Sequence, residues 1–422
     1  MSEVTLKYGR DSLPCQLDEA RVLTATPPQP PEPEQEIRRA LANPIGSEPL
    51  CQKVQPGEKV VIVTSDITRY TGSELYLPIL IEELNRCGIP DQDIAIIIAL
   101  GIHRKQTHEE HAKILGPLHG RIAVYDHECD DAEQLVDLGI TESGLPVQIN
   151  RRVMEADRVI VTGTIGLHYF AGFGGGRKSL VPGVASRETC MATHFSIFNP
   201  PEQGGRDAKA CTANLEGNPV HQAIVEAARM IKPDFLLNTV LSPDKQIVKL
   251  FCGELEQAHL AGCELAHKLY TVALEQPADL AVVSCGGHPK DINFIQAHKA
   301  LDYSVNAVRS GGVVILLAAC PDGFGNSTFF NWFNYEELDV FEKALRQRYE
   351  INGQTALSTL TKARSWQVIL ISEFSREQTE KMGMTKAESL DQALQIAYKQ
   401  LPPNPDTIII PDGGAILPVT AQ

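Results

Sequence analysis

Two stretches of this 422-residue chain, IAIIIAL at 94–100 and VVILLAAC at 313–320, are apolar without interruption. A strand with one wet face alternates apolar and polar residues, so an unbroken run reads as a strand buried on both faces. That is the habit of parallel sheets covered by helices. Both runs fall far short of the roughly 20 residues that cross a bilayer, so no membrane span is expected. Similar strand-like runs occur at 59–66 (KVVIVTSD), 121–127 (RIAVYDH) and 156–166 (ADRVIVTGTIG). Helix-like segments lie between them, including 73–88 and 218–231. The second of these opens with Asn218 as cap and Pro219 in the first turn.

From about residue 273 the alternation restarts. Strand-like runs appear at 279–287, 311–320, 366–373 and 407–412, with a helix-like segment at 291–310 whose cap is read as Asp291. Alternating strands and helices imply an α/β fold with mainly parallel sheets. The restart divides it into two α/β domains, 1–272 and 273–422. A proline-rich stretch, TPPQPPEPEQ at 26–35, reads as an extended connector. Ligands of such folds sit beyond the carboxyl ends of strands or at domain interfaces, so the active site is expected in the interdomain cleft.

The formal net charge is -15, which argues against nucleic acid as a partner. It leaves room for a small anion in a local basic pocket. The ten cysteines are scattered without a C-x-x-C pair, so the expectation is reduced, mostly buried thiols and a cytoplasmic protein.

Chemistry concentrates at residues 168–179, HYFAGFGGGRKS. Walker A spacing fails, because Arg177 stands where the second glycine belongs, and the dinucleotide pattern fails for want of a third glycine at the same position. The plainer reading is a glycine turn with a solvated Lys178. Against it stands the density of reactive types: His168 at a strand end, glycines at 172 and 174–176, Lys178, then His194. A lysine in such a setting serves as a nucleophile or covalent tether, and a strand-end histidine as a base or metal ligand. His108 and His111 lack metalloprotease spacing and read as a solvated helix start. His119, His127, His221, His259, His267 and His288 carry no signal of function.

Taken with DITR (66–69), LGIHR (100–104) and QAHK (296–299), the segment HYFAGFGGGRKSLVPGVAS followed by His194 resembles the nickel-dependent lactate racemase family. The matching pieces are spread over most of the chain. The resemblance implies a racemase or epimerase of a 2-hydroxy acid carrying a nickel-pincer nucleotide of the pyridinium-3,5-dithiocarboxylic acid mononucleotide type, covalently attached at Lys178. It implies His194 as the nickel ligand and His103 and His168 as paired acid/base groups. Arg69, Gln296 and Lys299 would bind the substrate. Asp66, Gly172, Gly174, Gly175 and Gly176 would help hold the nucleotide. Separate cofactor-synthesis proteins are implied as transient partners. The resemblance makes lactate the default substrate, but Ile295 stands where members acting on lactate carry an aromatic residue, a departure that points toward another 2-hydroxy acid. The alternative is a phosphate-binding transferase or NTPase that uses the 172–179 loop, with Asp66 on magnesium.

Overall fold

The strand Val60–Ser65 lies near the middle of a six-stranded sheet. In spatial order the strands are Ile247–Gly253, Phe235–Leu241, Arg158–Ile165, Val60–Ser65, Ile94–Ala99 and Ala123–Asp126. Every pairing is parallel except that of Phe235–Leu241 with Ile247–Gly253. Successive side chains of a strand point to opposite faces, and the apolar runs use both. Ile62, Ile96, Ile98 and Ile160 join one core. Val61, Val63, Ile97 and Val161 join the other. Full burial of each such side chain contributes about 1.5–3 kcal/mol, which is why these strands are dominated by Val and Ile.

In chain order the sheet reads 3-2-1-4-5-6, so the winding reverses between Val60–Ser65 and Arg158–Ile165. Connections leave those two strands toward opposite faces and open a crevice past their carboxyl ends. Asp66 follows one strand directly and His168 follows the other by a short turn.

The computed structural model describes residues 4–26 and 28–420. They divide into two units, one ending at Lys268 and one formed by the N-terminal segment through Thr26 together with the chain from Leu269 onward. The second unit has its own parallel sheet, in order Thr385–Ala387, Gln367–Ile371, Val308–Leu317, Ala278–Ser284, Thr407–Ile410 and Arg21–Val22. The segment before residue 27, expected with the first domain, therefore belongs to the second. Its hairpin Val4–Tyr8/Asp11–Cys15 buries Leu6 and Cys15 against Leu280, Val282 and Ile315.

Other local expectations shift too. The helix expected at 291–310 is Phe294–Ser304, capped by the Asn293 side chain. Asp291 instead is buried and accepts from the amides of Gly9 and Ala319. The helix Pro33–Ala42 begins inside the proline-rich stretch, with Glu32 capping Gln35 N–H. Asn218 and Pro219 start the helix Pro219–Ile231 as read. Not all thiols are reduced: Cys51 and Cys87 form a disulfide, because the helix Leu50–Lys53 lies beside the end of Ser73–Arg86. Among the described residues no helix is long and apolar enough to cross a membrane.

Candidate active site

The chain after Arg158–Ile165 turns into a tight hairpin, Leu167–His168 paired with Gly172–Phe173. It then enters a single helical turn, Arg177–Leu180, which carries Lys178. Lys178 Nζ lies 2.9 Å from His168 Nε2. The Ala171 amide donates to His168 Nδ1 at 3.2 Å. Phe170 is buried and links the reactive groups: its ring is 4.4 Å from that of His168, 5.3 Å from that of His194 and 5.3 Å from Lys178 Nζ.

Two of the loop glycines are required by conformation. Gly172 has φ +75°, and a Cβ there would sit 2.2 Å from the Asn214 carbonyl oxygen. Gly175 has φ +113°, with the His259 ring 2.7 Å from where a Cβ would be. A hairpin this tight turns backbone polar groups inward, and each needs a partner. Asn238 Oδ1 accepts from Gly176 N–H at 2.7 Å, His259 Nε2 lies 2.8 Å from the Gly174 carbonyl, and Asn218 Nδ2 donates to the Phe170 carbonyl. Arg177, fully buried, points its guanidinium inward and donates to the carbonyls of Ala171 and Phe173. Its side chain thus stiffens the loop from within.

His194 lies on the helix Arg187–Phe195, whose cap Ser186 accepts from Thr189 N–H. Its Nδ1 is 2.7 Å from the Cys190 carbonyl, four residues back. A carbonyl only accepts, so Nδ1 carries the proton and Nε2 the lone pair. Burial above all pushes His194 down to about 4, so the ring is a neutral imidazole. A neutral ring whose far N–H is held by a carbonyl is how proteins present histidine to a metal.

On the neighbouring strand ends, His103 Nδ1 meets Asp66 Oδ2 at 2.5 Å. Asp66 is buried, and its other oxygen accepts from the amide and hydroxyl of Thr68. Burial alone would raise the Asp66 carboxyl; the His103 hydrogen bond and the Arg69 charge outweigh it and hold the group below its usual range. Asp66, expected on the nucleotide or on magnesium, is thus engaged by His103 and Thr68. Arg69 is exposed, and its charge acts on Asp66, Cys190 and His194.

The first unit therefore brings Asp66, Arg69, His103, His168, Lys178 and His194 to one set of strand ends. Gln296 and Lys299 share a face of Phe294–Ser304, where Lys299 Nζ donates to Gln296 Oε1 at 2.7 Å. His108 and His111 stay apart from this group: Thr107 caps their helix in a capping box and His111 pairs with Asp126.

Sequence reasoning missed Phe170, Arg177, Asn238 and His259. Only Asn218 carried a readable signal, and it was the signal of a helix cap.

This geometry can be set beside known proteins. The lactate racemase N-terminal domain family matches residues 8–205 and the lactate racemase C-terminal domain family matches 273–417. A lactate racemase of Thermoanaerobacterium thermosaccharolyticum is 33% identical over 99% of both chains. The chain belongs to the lactate racemase family. It is accordingly an isomerase. The lactate racemase of Lactiplantibacillus plantarum is 32% identical over 99% of this chain and all of that protein. The solved lactate racemase apoprotein from T. thermosaccharolyticum superposes with a TM-score of 0.89 over 99% of this chain and all of that one, at 32% identity. A Thermotoga maritima protein, 20% identical, shares the fold with a TM-score of 0.67 over 92% of this chain and 98% of its own.

Proposed function

We propose that this chain racemises or epimerises a 2-hydroxy acid, with lactate as default substrate, using a nickel-pincer nucleotide joined to Lys178. The observation that carries the reading is the His194 ring, held neutral with its proton on the Cys190 side. That is a donor for a metal favouring nitrogen and sulfur ligands, as nickel does, in the same pocket as a lysine able to bear a covalent group.

When bound, the cofactor supplies acceptance and return of the substrate C2 hydrogen as hydride. The protein supplies the rest. His194 offers Nε2 to the metal, and Lys178 Nζ makes the covalent link. Inverting one carbon requires a proton acceptor and donor at the hydroxyl oxygen from either side. His103 and His168, on separate strand ends, are the two groups. Asp66 fixes the His103 ring with its proton on Nδ1, which leaves Nε2 as the base. Arg69, Gln296 and Lys299 bind the carboxylate and substrate oxygens, with the planar guanidinium gripping through two parallel hydrogen bonds. Gly172, Gly174, Gly175 and Gly176 let the nucleotide-bearing loop close tightly on its own interior.

Cofactor-synthesis proteins are the transient partners of this reading, and the cytoplasm its compartment, although the Cys51–Cys87 disulfide is an observation against a reducing setting. Cofactor-loaded protein offered enantiopure lactate and other 2-hydroxy acids should yield the opposite enantiomer of at least one. His103→Ala and His168→Ala should each abolish that while keeping nickel. Magnesium-dependent hydrolysis of a nucleoside triphosphate without racemisation would overturn the proposal.

A further inference from the structure

The contact between Lys178 and His168 fixes more than their proximity. A neutral imidazole has one N–H and one lone pair. The Ala171 amide can only donate, so His168 Nδ1, 3.2 Å away, must present its lone pair. The ring proton then belongs to Nε2, the atom 2.9 Å from Lys178 Nζ. An ammonium has no lone pair to receive that proton. Nε2 could accept from an ammonium only as an imidazolate, a form outside physiological reach, and an imidazolium would oppose the Ala171 N–H. One arrangement satisfies both contacts: His168 Nε2–H donates to the lone pair of an uncharged Lys178 amine.

We propose that His168 holds Lys178 as an uncharged amine, so that the unloaded protein carries an acyl-accepting nucleophile ready for covalent modification. The inference rests on the reading that Lys178 bears the cofactor and adds how the link is made. Its partner would be an activated carboxyl or thiocarboxyl group. The Nζ lone pair forms the new C–N bond. His168 Nε2–H, released from Nζ, gives its proton to the leaving group as the bond from carbon to that group breaks. Nε2 then takes a proton from the nitrogen, and the sum is an amide or thioamide plus the protonated leaving group. No oxidant or reductant is required. Phe170, with its ring 5.3 Å from Nζ and 4.4 Å from the His168 ring, keeps the pair in register.

The test uses unloaded full-length protein and a limiting amount of sulfosuccinimidyl acetate, with acetylation of each lysine followed by peptide mass spectrometry between pH 5.5 and 9. An ordinary lysine is uncharged to roughly one part in a few thousand at pH 7. Even partial population of the amine should therefore make Lys178 acylate at least about tenfold faster than surface lysines at that pH. His168→Gln and His168→Ala should bring it back to the surface rate, with circular dichroism confirming the fold. A wild-type Lys178 no faster than surface lysines overturns the inference, whatever the variants do. So does a fast Lys178 left unchanged by both substitutions. The adduct and nickel content of loaded protein are measured separately: an adduct on a slow Lys178 would sink this inference alone, and a fast Lys178 that never gains an adduct would sink the cofactor reading alone.

Discussion

Asp66→Asn is the substitution that most sharply separates orientation from binding. The wild-type carboxylate accepts on every side: from His103 on Oδ2 and from the amide and hydroxyl of Thr68 on Oδ1. Asparagine has nearly the same shape but one accepting oxygen. Two Thr68 donors claim it, so Nδ2–H faces His103 Nδ1. The ring must then offer a lone pair at Nδ1 and move its proton to Nε2, the atom proposed as the base. A positioned general base is worth about 10²–10⁴ in rate. A hundredfold loss corresponds to about 2.7 kcal/mol of barrier. We expect kcat/KM for racemisation to fall at least about a hundredfold, by chiral chromatography of an initially pure enantiomer. Stability should change by no more than about 1–3 kcal/mol, and nickel content not at all. Activity within threefold of wild type would refute the tautomer reasoning, and lost nickel would assign Asp66 to the cofactor.

Gly172→Ala forces a Cβ to within 2.2 Å of the Asn214 carbonyl oxygen at a φ of +75°. It should lower stability by at least about 1–2 kcal/mol, read by urea titration; an unchanged midpoint would mean the hairpin is looser than described. The Cys51–Cys87 bridge spans 36 residues, so Cys51→Ser/Cys87→Ser should cost about 2–4 kcal/mol. A wild-type melting temperature that does not respond to reductant would show that the bridge does not form. His259 is held well below the usual histidine range by burial first and then by the Arg177 charge. Its native form binds fewer protons than the unfolded chain, so stability should fall as pH drops below about 6.5. His259→Gln should flatten that part of the thermal-melt profile between pH 7 and 5, and a profile as steep as wild type would count against the assignment.

The sheet was legible because burial on both faces leaves an uninterrupted apolar run, and Val60–Ser65 and Ile94–Ala99 lie within the segments read for them. His168 and Lys178 were legible because they share one short segment. The supports of that segment were not. Asn238 and His259 reach Gly176 and Gly174 across 62 and 85 residues of chain, and a lone polar residue in an apolar strand or helix carries no mark of its partner. The N-terminal hairpin escaped for a related reason. Leu6 and Cys15 look like ordinary first-domain residues until they are seen beside Leu280. Asp66 was expected on the nucleotide, but its hydrogen bonds bring it to His103 and Thr68, and no sequence pattern marks which partner a strand-end carboxylate will find.

We propose that Lys178 and His194 together hold a nickel nucleotide. Intact mass and nickel content test it most directly, on protein produced alongside cofactor-synthesis proteins, with Lys178→Ala and His194→Ala as controls. We expect a nucleotide-sized mass increase and about one nickel per chain, as a dedicated nitrogen–sulfur site would hold. The mass increase should vanish in Lys178→Ala, and nickel should be depleted in His194→Ala. Unmodified, nickel-free wild-type protein under those conditions would contradict it.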